Sequence, residues 1–209
     1  MIYILLPCYN EYKNLLPLIK KIDLVSKKNN LKINIVLVND GSTDATHKNI
    51  NFLKKITTNR IIYINHRRNL GLNMALLNGF EKIISVGKKN DIVITLDSDN
   101  THPVNIIPQM NSLLTLENFD IVIASRFQTG GKVKGLSHFR TSLSIAARII
   151  FKLIINIRNV NDYTCNYRAY NLNIYEIPFI LRYDKKIGVS KMKIGTNILK
   201  TLNLILRNF

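Results

Sequence analysis

Residues 33–44 read INIVLVNDGSTD, and this stretch decides the fold class. Residues 33–38 form a nearly continuous apolar run, which indicates a parallel strand buried on both faces. Gly41 then permits a tight turn, and Ser42, Thr43 or Asp44 can cap a following helix. The stretch therefore predicts a strand, a turn and a helix in direct succession.

The same succession recurs through the first 125 residues. Further strands are predicted at residues 2–7, 61–64, 92–96 and 121–124, and helices at residues 11–28, 43–56, 72–86 and 104–116. Strands that alternate with helices predict an α/β fold, with a mostly parallel central sheet and helices on both faces. Such open sheets bind ligands at the carboxyl ends of their strands.

The last third of the chain follows a different pattern. It predicts a loop at residues 128–135, a helix at 137–157, short strands at 167–170 and 177–183, and a basic amphipathic helix at 192–209. Because no Ser- or Gly-rich linker separates these parts, we expect one domain over residues 1–209. It would comprise a sheet half (1–125), a second half (126–191) and the C-terminal helix (192–209).

Composition narrows the class of protein. The 209 residues carry a net charge of +17, are 46% hydrophobic and include two cysteines, Cys8 and Cys165. These values exclude a disordered chain and a disulfide-bonded scaffold, and they suggest an anionic partner. Residues 126–209 hold fifteen Lys and Arg against three acidic residues, so most of the surplus positive charge lies after the sheet half. Neither a membrane-spanning segment nor a signal peptide is apparent, and we expect a reducing, cytosolic compartment.

Five polar motifs each follow a predicted strand. They are PCYNE (7–11), VNDGSTD (38–44), NLGLNMALLNG (69–79), LDSDNTHP (96–103) and ASRF (124–127). Two carboxylates at a strand end, such as Asp97 and Asp99, can hold a hard divalent cation that bridges two phosphates. We therefore expect a cleft with Mg²⁺ or Mn²⁺ on these two residues. The acids in the cleft argue against nucleic acid as the anionic partner.

These motifs, in this order, resemble the family 2 glycosyltransferases of GT-A fold. Later segments are similar to the branch of dolichyl-phosphate mannose synthases and polyprenyl-phosphate glycosyltransferases. They are SRFQTGGKVKG (125–135), HFRTSLS (138–144), DYTCNYRAY (162–170) and LRYDKKIGVSKMK (181–193). The resemblance implies a GT-A, Rossmann-like sheet and a metal-dependent hexosyltransferase acting in cell-envelope glycan assembly.

The resemblance also implies roles for individual residues. The nucleotide base and ribose would be held by Pro7, Tyr9, Asn10, Glu11 and Asp40. The metal and diphosphate would be held by Asp97 and Asp99, with Arg126 close to the phosphates. Further phosphate contacts are expected from Arg140, Ser144, Arg168, Lys191 and one of Arg182, Lys185 and Lys186.

The acceptor can be predicted from the chemistry of the last third. A hydroxyl acceptor needs a general base, whereas a lipid phosphate is already ionised and needs only cations. This part of the chain has many cations and one prominent acid, Asp162. Together with the resemblance, this leads us to expect transfer of mannose or glucose from GDP-mannose or UDP-glucose to a polyprenyl phosphate, with inversion, at the cytosolic membrane face. The C-terminal helix would lie on anionic lipid, or would pack on the sheet domain.

Two alternatives remain open. Asp162 could act as the base for transfer to a sugar hydroxyl, as elsewhere in the superfamily. The chain could also be a catalytically impaired nucleotide-binding paralogue. Residues 171–176 pass almost directly from one element to the next, where the family normally has a few tens of residues that border the acceptor site.

Overall fold

The protein, analysed as a computed structural model, is built around a seven-stranded mixed sheet. The structure describes residues 1–117, 119–135, 137–155, 157–170, 174–178 and 180–182; for His138 and residues 174–182 it describes the backbone alone. The strands are β1 (Ile2–Cys8), β2 (Ile33–Asn39), β3 (Arg60–Asn65), β4 (Ile92–Thr95), β5 (Ile121–Ser125), β6 (Lys132–Lys134), β7 (Arg168–Tyr170), β8 (Ile174–Pro178) and β9 (Ile180–Arg182). The α-helices are α1 (Tyr12–Lys28), α2 (Ile50–Ile56), α3 (Leu72–Val86), α4 (Ile107–Leu116) and α5 (His138–Ile154), and 3₁₀ turns span His47–Asn49 and Val104–Ile106.

The strand order confirms the expected mostly parallel sheet. It runs β3-β2-β1-β4-β7-β5-β8, and a separate two-stranded sheet pairs β6 with β9. β7 is antiparallel to both of its neighbours, β4 and β5, while β1, β2, β3 and β4 are mutually parallel. The carboxyl ends of β1, β2, β4 and β5 therefore meet at one edge of the sheet.

Strand β1 is buried on both of its faces. Alternate residues of β1 point to opposite sides, because successive side chains of a strand do so. Ile4 and Leu6 join a core with α1, α2 and α4, whereas Tyr3 and Leu5 pack with α3. Gly79 lets α3 pack closely on β1, since an added Cβ would lie 2.2 Å from Leu5 Cδ1.

The predicted helix at residues 43–56 was too long at its start. The structure has a 3₁₀ turn at His47–Asn49 and an α-helix only from Ile50. The backbone N–H groups of Thr43 and Asp44 donate to Asn10 Oδ1, at 2.7 and 3.2 Å. A side chain that takes these donors offers the backbone an alternative to helix, so the helix begins later.

Other corrections fall in the last third. The predicted loop at 128–135 contains β6, and α5 ends at Ile154 rather than at residue 157. The single strand predicted at 177–183 is two short strands, β8 and β9, which belong to different sheets. β8 ends at Pro178, which has no N–H to donate to a ladder. The predicted helix at 192–209 lies outside the described residues. Within the described part of the chain, no helix is long and apolar enough to cross a membrane.

Candidate active site

The two predicted metal ligands lie on a turn that follows β4, residues 97–102, here called the acid turn. Three hydrogen bonds fix this turn to the first strand and helix. Ser98 Oγ donates to the Pro7 carbonyl at 2.8 Å, and Asn100 Nδ2 donates to the Asn14 carbonyl at 2.6 Å. Lys21 Nζ donates to Asn100 Oδ1 at 2.9 Å. The PCYNE and LDSDNTHP motifs are thus brought together, as expected.

The carboxylates of the acid turn differ in exposure. The Asp97 side chain is 42% exposed, whereas Asp99 is buried and its Oδ1 accepts from the backbone N–H and the hydroxyl of Thr101. Among the described residues there is no group of three or more His, Cys, Asp and Glu that could hold a metal. Mg²⁺ is commonly bound by one or two carboxylates together with water and substrate phosphates. The pair therefore fits a cation that a diphosphate helps to bind.

Asp40 holds a neighbouring loop. Its Oδ1 accepts from His66 Nδ1 at 2.7 Å and from the Leu70 N–H at 2.8 Å, and its Oδ2 accepts from the Gly71 N–H at 2.8 Å. The residue is 4% exposed. The geometry therefore assigns this carboxylate to anchoring the loop between β3 and α3, and its expected contact with base or ribose stays a prediction.

Asn10 likewise joins two loops. It has a positive φ of 55°, and its side chain binds Thr43 and Asp44 of the loop after β2. Glu11 precedes α1 and accepts from Asn14 Nδ2 at 2.6 Å. Pro7 and Tyr9 are half-buried at the same edge. The structure thus gathers the predicted nucleotide-binding residues at one end of the sheet, and it uses the side chains of Asn10 and Asp40 to hold the loops around the site.

Arg126 and Asp162 form a buried ion pair. Arg126 Nε and an Nη donate to the two carboxylate oxygens of Asp162, both at 2.7 Å, and Asp162 also accepts from the Arg126 and Cys165 N–H groups. Burial alone would raise the pKa of Asp162, but the hydrogen bonds and charge of Arg126 outweigh it and lower that pKa. Asp162 is 0% exposed. This geometry does not suit the alternative in which Asp162 is the general base for a hydroxyl acceptor, because the buried carboxylate is closed to an acceptor hydroxyl.

Of the predicted acceptor-side residues, the structure describes the side chains of Arg140, Ser144 and Arg168. The Arg168 guanidinium donates to the backbone carbonyls of Cys165 and Tyr163, at 2.8 and 2.7 Å, and so stabilises its own loop. Arg140 and Ser144 are half-buried on α5. Of Arg182 only the backbone is described, in β9, and Lys185, Lys186 and Lys191 lie outside the described residues.

Sequence reasoning missed several residues that shape the site. Asn39 is buried and binds Tyr63, Asn65 and Ser42 through its side chain. Asn166 donates to Asp97 Oδ1, and His102 Nδ1 accepts from the Asp97 N–H. Burial lowers the pKa of His102, although the nearby Asp97 charge opposes this. His102 lies three residues after Asp99, and this closeness in sequence could have indicated that it contacts the acid turn.

Solved structures of other proteins share this fold. Mannosyl-3-phosphoglycerate synthase from Rubrobacter xylanophilus superposes with a TM-score of 0.63 at 13% identity, covering 100% of this chain and 74% of that one. Glucosyl-3-phosphoglycerate synthase from Mycobacterium tuberculosis gives 0.60 at 16% identity, with 94% and 74% covered. At such identities the likeness shows the fold alone, and it confirms the GT-A-like architecture. Glycosyltransferases of this fold usually use a divalent metal.

Residues 3–177 match the sequence model of glycosyl transferase family 2, and the chain belongs to that family. The dolichol-phosphate mannosyltransferase of Pyrococcus furiosus is 28% identical over 197 residues, which are 94% of this chain and 50% of the relative. The undecaprenyl-phosphate 4-deoxy-4-formamido-L-arabinose transferase of Proteus mirabilis is 30% identical over 175 residues, 83% of this chain and 49% of the relative. The chain thus spans about half the length of these curated relatives.

Proposed function

We propose that the protein transfers a hexose, with inversion, from a nucleotide sugar to a polyprenyl phosphate. Two relatives named for dolichol-phosphate and undecaprenyl-phosphate transfer support this acceptor class. The observation that carries the choice is the burial of Asp162, the only acidic residue between positions 126 and 170. A phosphate acceptor needs no base from this part of the chain, whereas a hydroxyl acceptor would.

The chemistry proposed is a direct displacement at the anomeric carbon. A phosphate oxygen of the acceptor forms a bond to the anomeric carbon while the bond from that carbon to the nucleoside diphosphate breaks. The nucleoside diphosphate leaves, and the configuration at the anomeric carbon is inverted. Asp97 and Asp99 would hold Mg²⁺ or Mn²⁺, and a bound cation would offset the charge that develops on the diphosphate. Arg126, kept in place by Asp162, would add positive charge on the same edge.

Peripheral contact with the cytosolic membrane face is part of the proposal, and α5 supports it. Phe139 and Leu153 are 71% and 79% exposed, and Ile145, Ile149 and Ile150 are exposed beside them. The opposite side of the helix faces the protein. Arg148 lies over the Phe127 ring at 4.9 Å and bonds to Asn161, and Phe151 stacks on Tyr163.

An amphipathic helix that turns its apolar side outward fits a lipid surface, and the positive charge of the chain suits anionic headgroups. The expected second anchor, the basic segment 192–209, lies outside the described residues.

Turnover tests the proposed reaction. Radiolabelled GDP-mannose and UDP-glucose are incubated with polyprenyl phosphate and Mg²⁺ or Mn²⁺, and the lipid fraction is counted. Folded protein that gives no lipid product with a panel of common donors would contradict the proposal. Nucleotide-dependent thermal stabilisation without any product would instead indicate the impaired paralogue, and transfer to a soluble sugar would indicate a hydroxyl acceptor.

Vesicle flotation tests the membrane contact. Leu153→Ser should reduce binding to vesicles that contain phosphatidylglycerol. Leu116→Ser is the matched control, because Leu116 is also 79% exposed but lies on α4. If both substitutions reduce vesicle binding equally, α5 is not the membrane-binding element. If the wild-type protein does not float with anionic vesicles, the proposed membrane contact is wrong.

A further inference from the structure

Strand register places Asn166 beside the more exposed acid of the acid turn. β7 pairs antiparallel with β4, and Thr95 lies opposite Arg168. Continuing this register two residues past the end of β4 sets Asp97 opposite Asn166. There Asn166 Nδ2 donates to Asp97 Oδ1 at 3.2 Å. The pairing of β4 with β7 therefore brings these two residues close together.

The backbone of Asn166 is itself fixed. Thr95 Oγ1 donates to the Asn166 carbonyl at 2.5 Å, and the following residue, Tyr167, is fully buried. The amide that reaches Asp97 is thus tied to the same strand that ends at the acid turn. The hydrogen bond from Asn166 restricts the rotamers of the Asp97 side chain, which is 42% exposed.

His102 contacts Asp97 from another direction. Its Nδ1 accepts from the Asp97 N–H at 3.1 Å, so the neutral ring carries its proton on Nε2, which lies 3.8 Å from Asp97 Oδ2. The ring stacks on Tyr167 with centroids 5.0 Å apart and planes 18° apart. Tyr167 in turn donates its hydroxyl to the Pro103 carbonyl at 3.0 Å.

We propose that Asn166 and His102 are positioning residues that hold the Asp97 carboxylate in the orientation in which it binds a divalent cation. This inference rests on the proposed function, because it takes Asp97 as a metal ligand. Residues that orient metal ligands generally affect metal affinity or activity by about 10- to 100-fold when they are removed. The segment 162–170, expected to serve the acceptor side, would therefore also set the donor-side metal site.

Metal binding tests the role of Asn166 without turnover. Free Mn²⁺ is titrated by electron paramagnetic resonance against the whole chain, with GDP and with UDP in separate series. Asn166→Ala should raise the apparent Kd for Mn²⁺ by roughly 10-fold or more. Asn29→Ala is the control: Asn29 Nδ2 donates to the Val25 carbonyl at 2.9 Å at the end of α1, outside all five motifs. That variant should bind Mn²⁺ as the wild type does.

Two substitutions separate the hydrogen bond of His102 from its packing. His102→Asn places an oxygen close to the position of Nδ1 and keeps an acceptor for the Asp97 N–H, although it loses the stack on Tyr167. His102→Phe keeps the stack and loses the acceptor. We expect the Phe variant to bind Mn²⁺ more weakly than the Asn variant. Thermal unfolding of both, followed in parallel, identifies any loss that is only a loss of folded protein.

The outcomes are distinct. Unchanged Mn²⁺ affinity in Asn166→Ala overturns the role of Asn166, and a Phe variant that binds better than the Asn variant overturns that of His102. Wild-type protein with no saturable Mn²⁺ binding alongside either nucleotide overturns both. Weakened Mn²⁺ binding in Asn166→Ala, in a protein that forms no lipid product, supports this inference while it contradicts the proposed function.

Discussion

Replacing Asp162 by Asn should destabilise the protein strongly, because it breaks a buried ion pair. The aspartate carboxylate accepts two bonds of 2.7 Å from the Arg126 guanidinium, and the Arg126 and Asp162 side chains are 12% and 0% exposed. An asparagine keeps one oxygen and turns an N–H₂ group towards donors. Arg126 would be left with its charge uncompensated in a largely dry site.

The expected size follows from this burial. Removing one partner of a buried pair costs about 3–5 kcal/mol. For a chain of this length each kcal/mol lowers the unfolding midpoint by about 2–4 °C, so the midpoint should fall by at least roughly 6 °C. Differential scanning fluorimetry and urea titration measure the change. Glu81→Gln, which alters an exposed carboxylate on α3, should shift the midpoint by no more than about 2 °C.

The effect should also depend on pH with a definite sign. Because the pKa of Asp162 is lowered in the folded state, its stabilisation is fully present above the unfolded value near 3.8 and is lost as pH falls through the folded pKa. The difference between wild type and Asp162→Asn should therefore be constant near neutral pH and shrink below about pH 4. A variant as stable as wild type at pH 7, or a difference that grows in acid, would refute the reasoning.

Three further predictions concern other sites. Gly41→Ala should lower the free energy of unfolding by more than about 1–2 kcal/mol, measured in urea, because Gly41 has φ +66° and an added Cβ would lie 2.2 Å from the Arg68 carbonyl carbon. Asp40→Ala should cost about 2–4 kcal/mol in the same assay and speed proteolysis of residues 66–71, since it leaves two backbone N–H groups without their acceptor. Cys8 and Cys165 should react with a thiol reagent at pH 8 only after denaturation, because both are buried and burial raises the pKa of Cys165 to about 12.

Much of the sheet half could be predicted from the sequence, for a physical reason. Strands buried on both faces need near-continuous apolar runs, and each of the five predicted runs is a strand in the structure. The predicted helix at 72–86 is also confirmed. The helix at 43–56 failed at its start because Asn10, more than thirty residues away, takes the N–H groups of Thr43 and Asp44. Local patterns contain no information about such a distant acceptor.

The position of the candidate site could be predicted from the sequence, but the hydrogen bonds that its side chains make could not. Motifs that follow parallel strands must meet at one edge, so the gathering of Pro7, Asn10 and Asp97 follows from topology. The inward bonds of Asp40 and the pairing of Asp162 with Arg126 depend on tertiary contacts 30 and 36 residues apart in sequence. A carboxylate that binds a ligand and one that binds its own protein look the same in a sequence.

The place of β7 limits how this protein could be recombined with its relatives. The strand comes from the second half of the chain, yet it lies between β4 and β5 of the first half. A chimera joined after residue 125 would pair a foreign β7 with native strands on both sides, so the side chains opposite β4 and β5 would have to be matched as a set. The two halves of the chain are therefore not independently exchangeable, and a library of chimeras should place its crossover points outside the segment from β4 to β7.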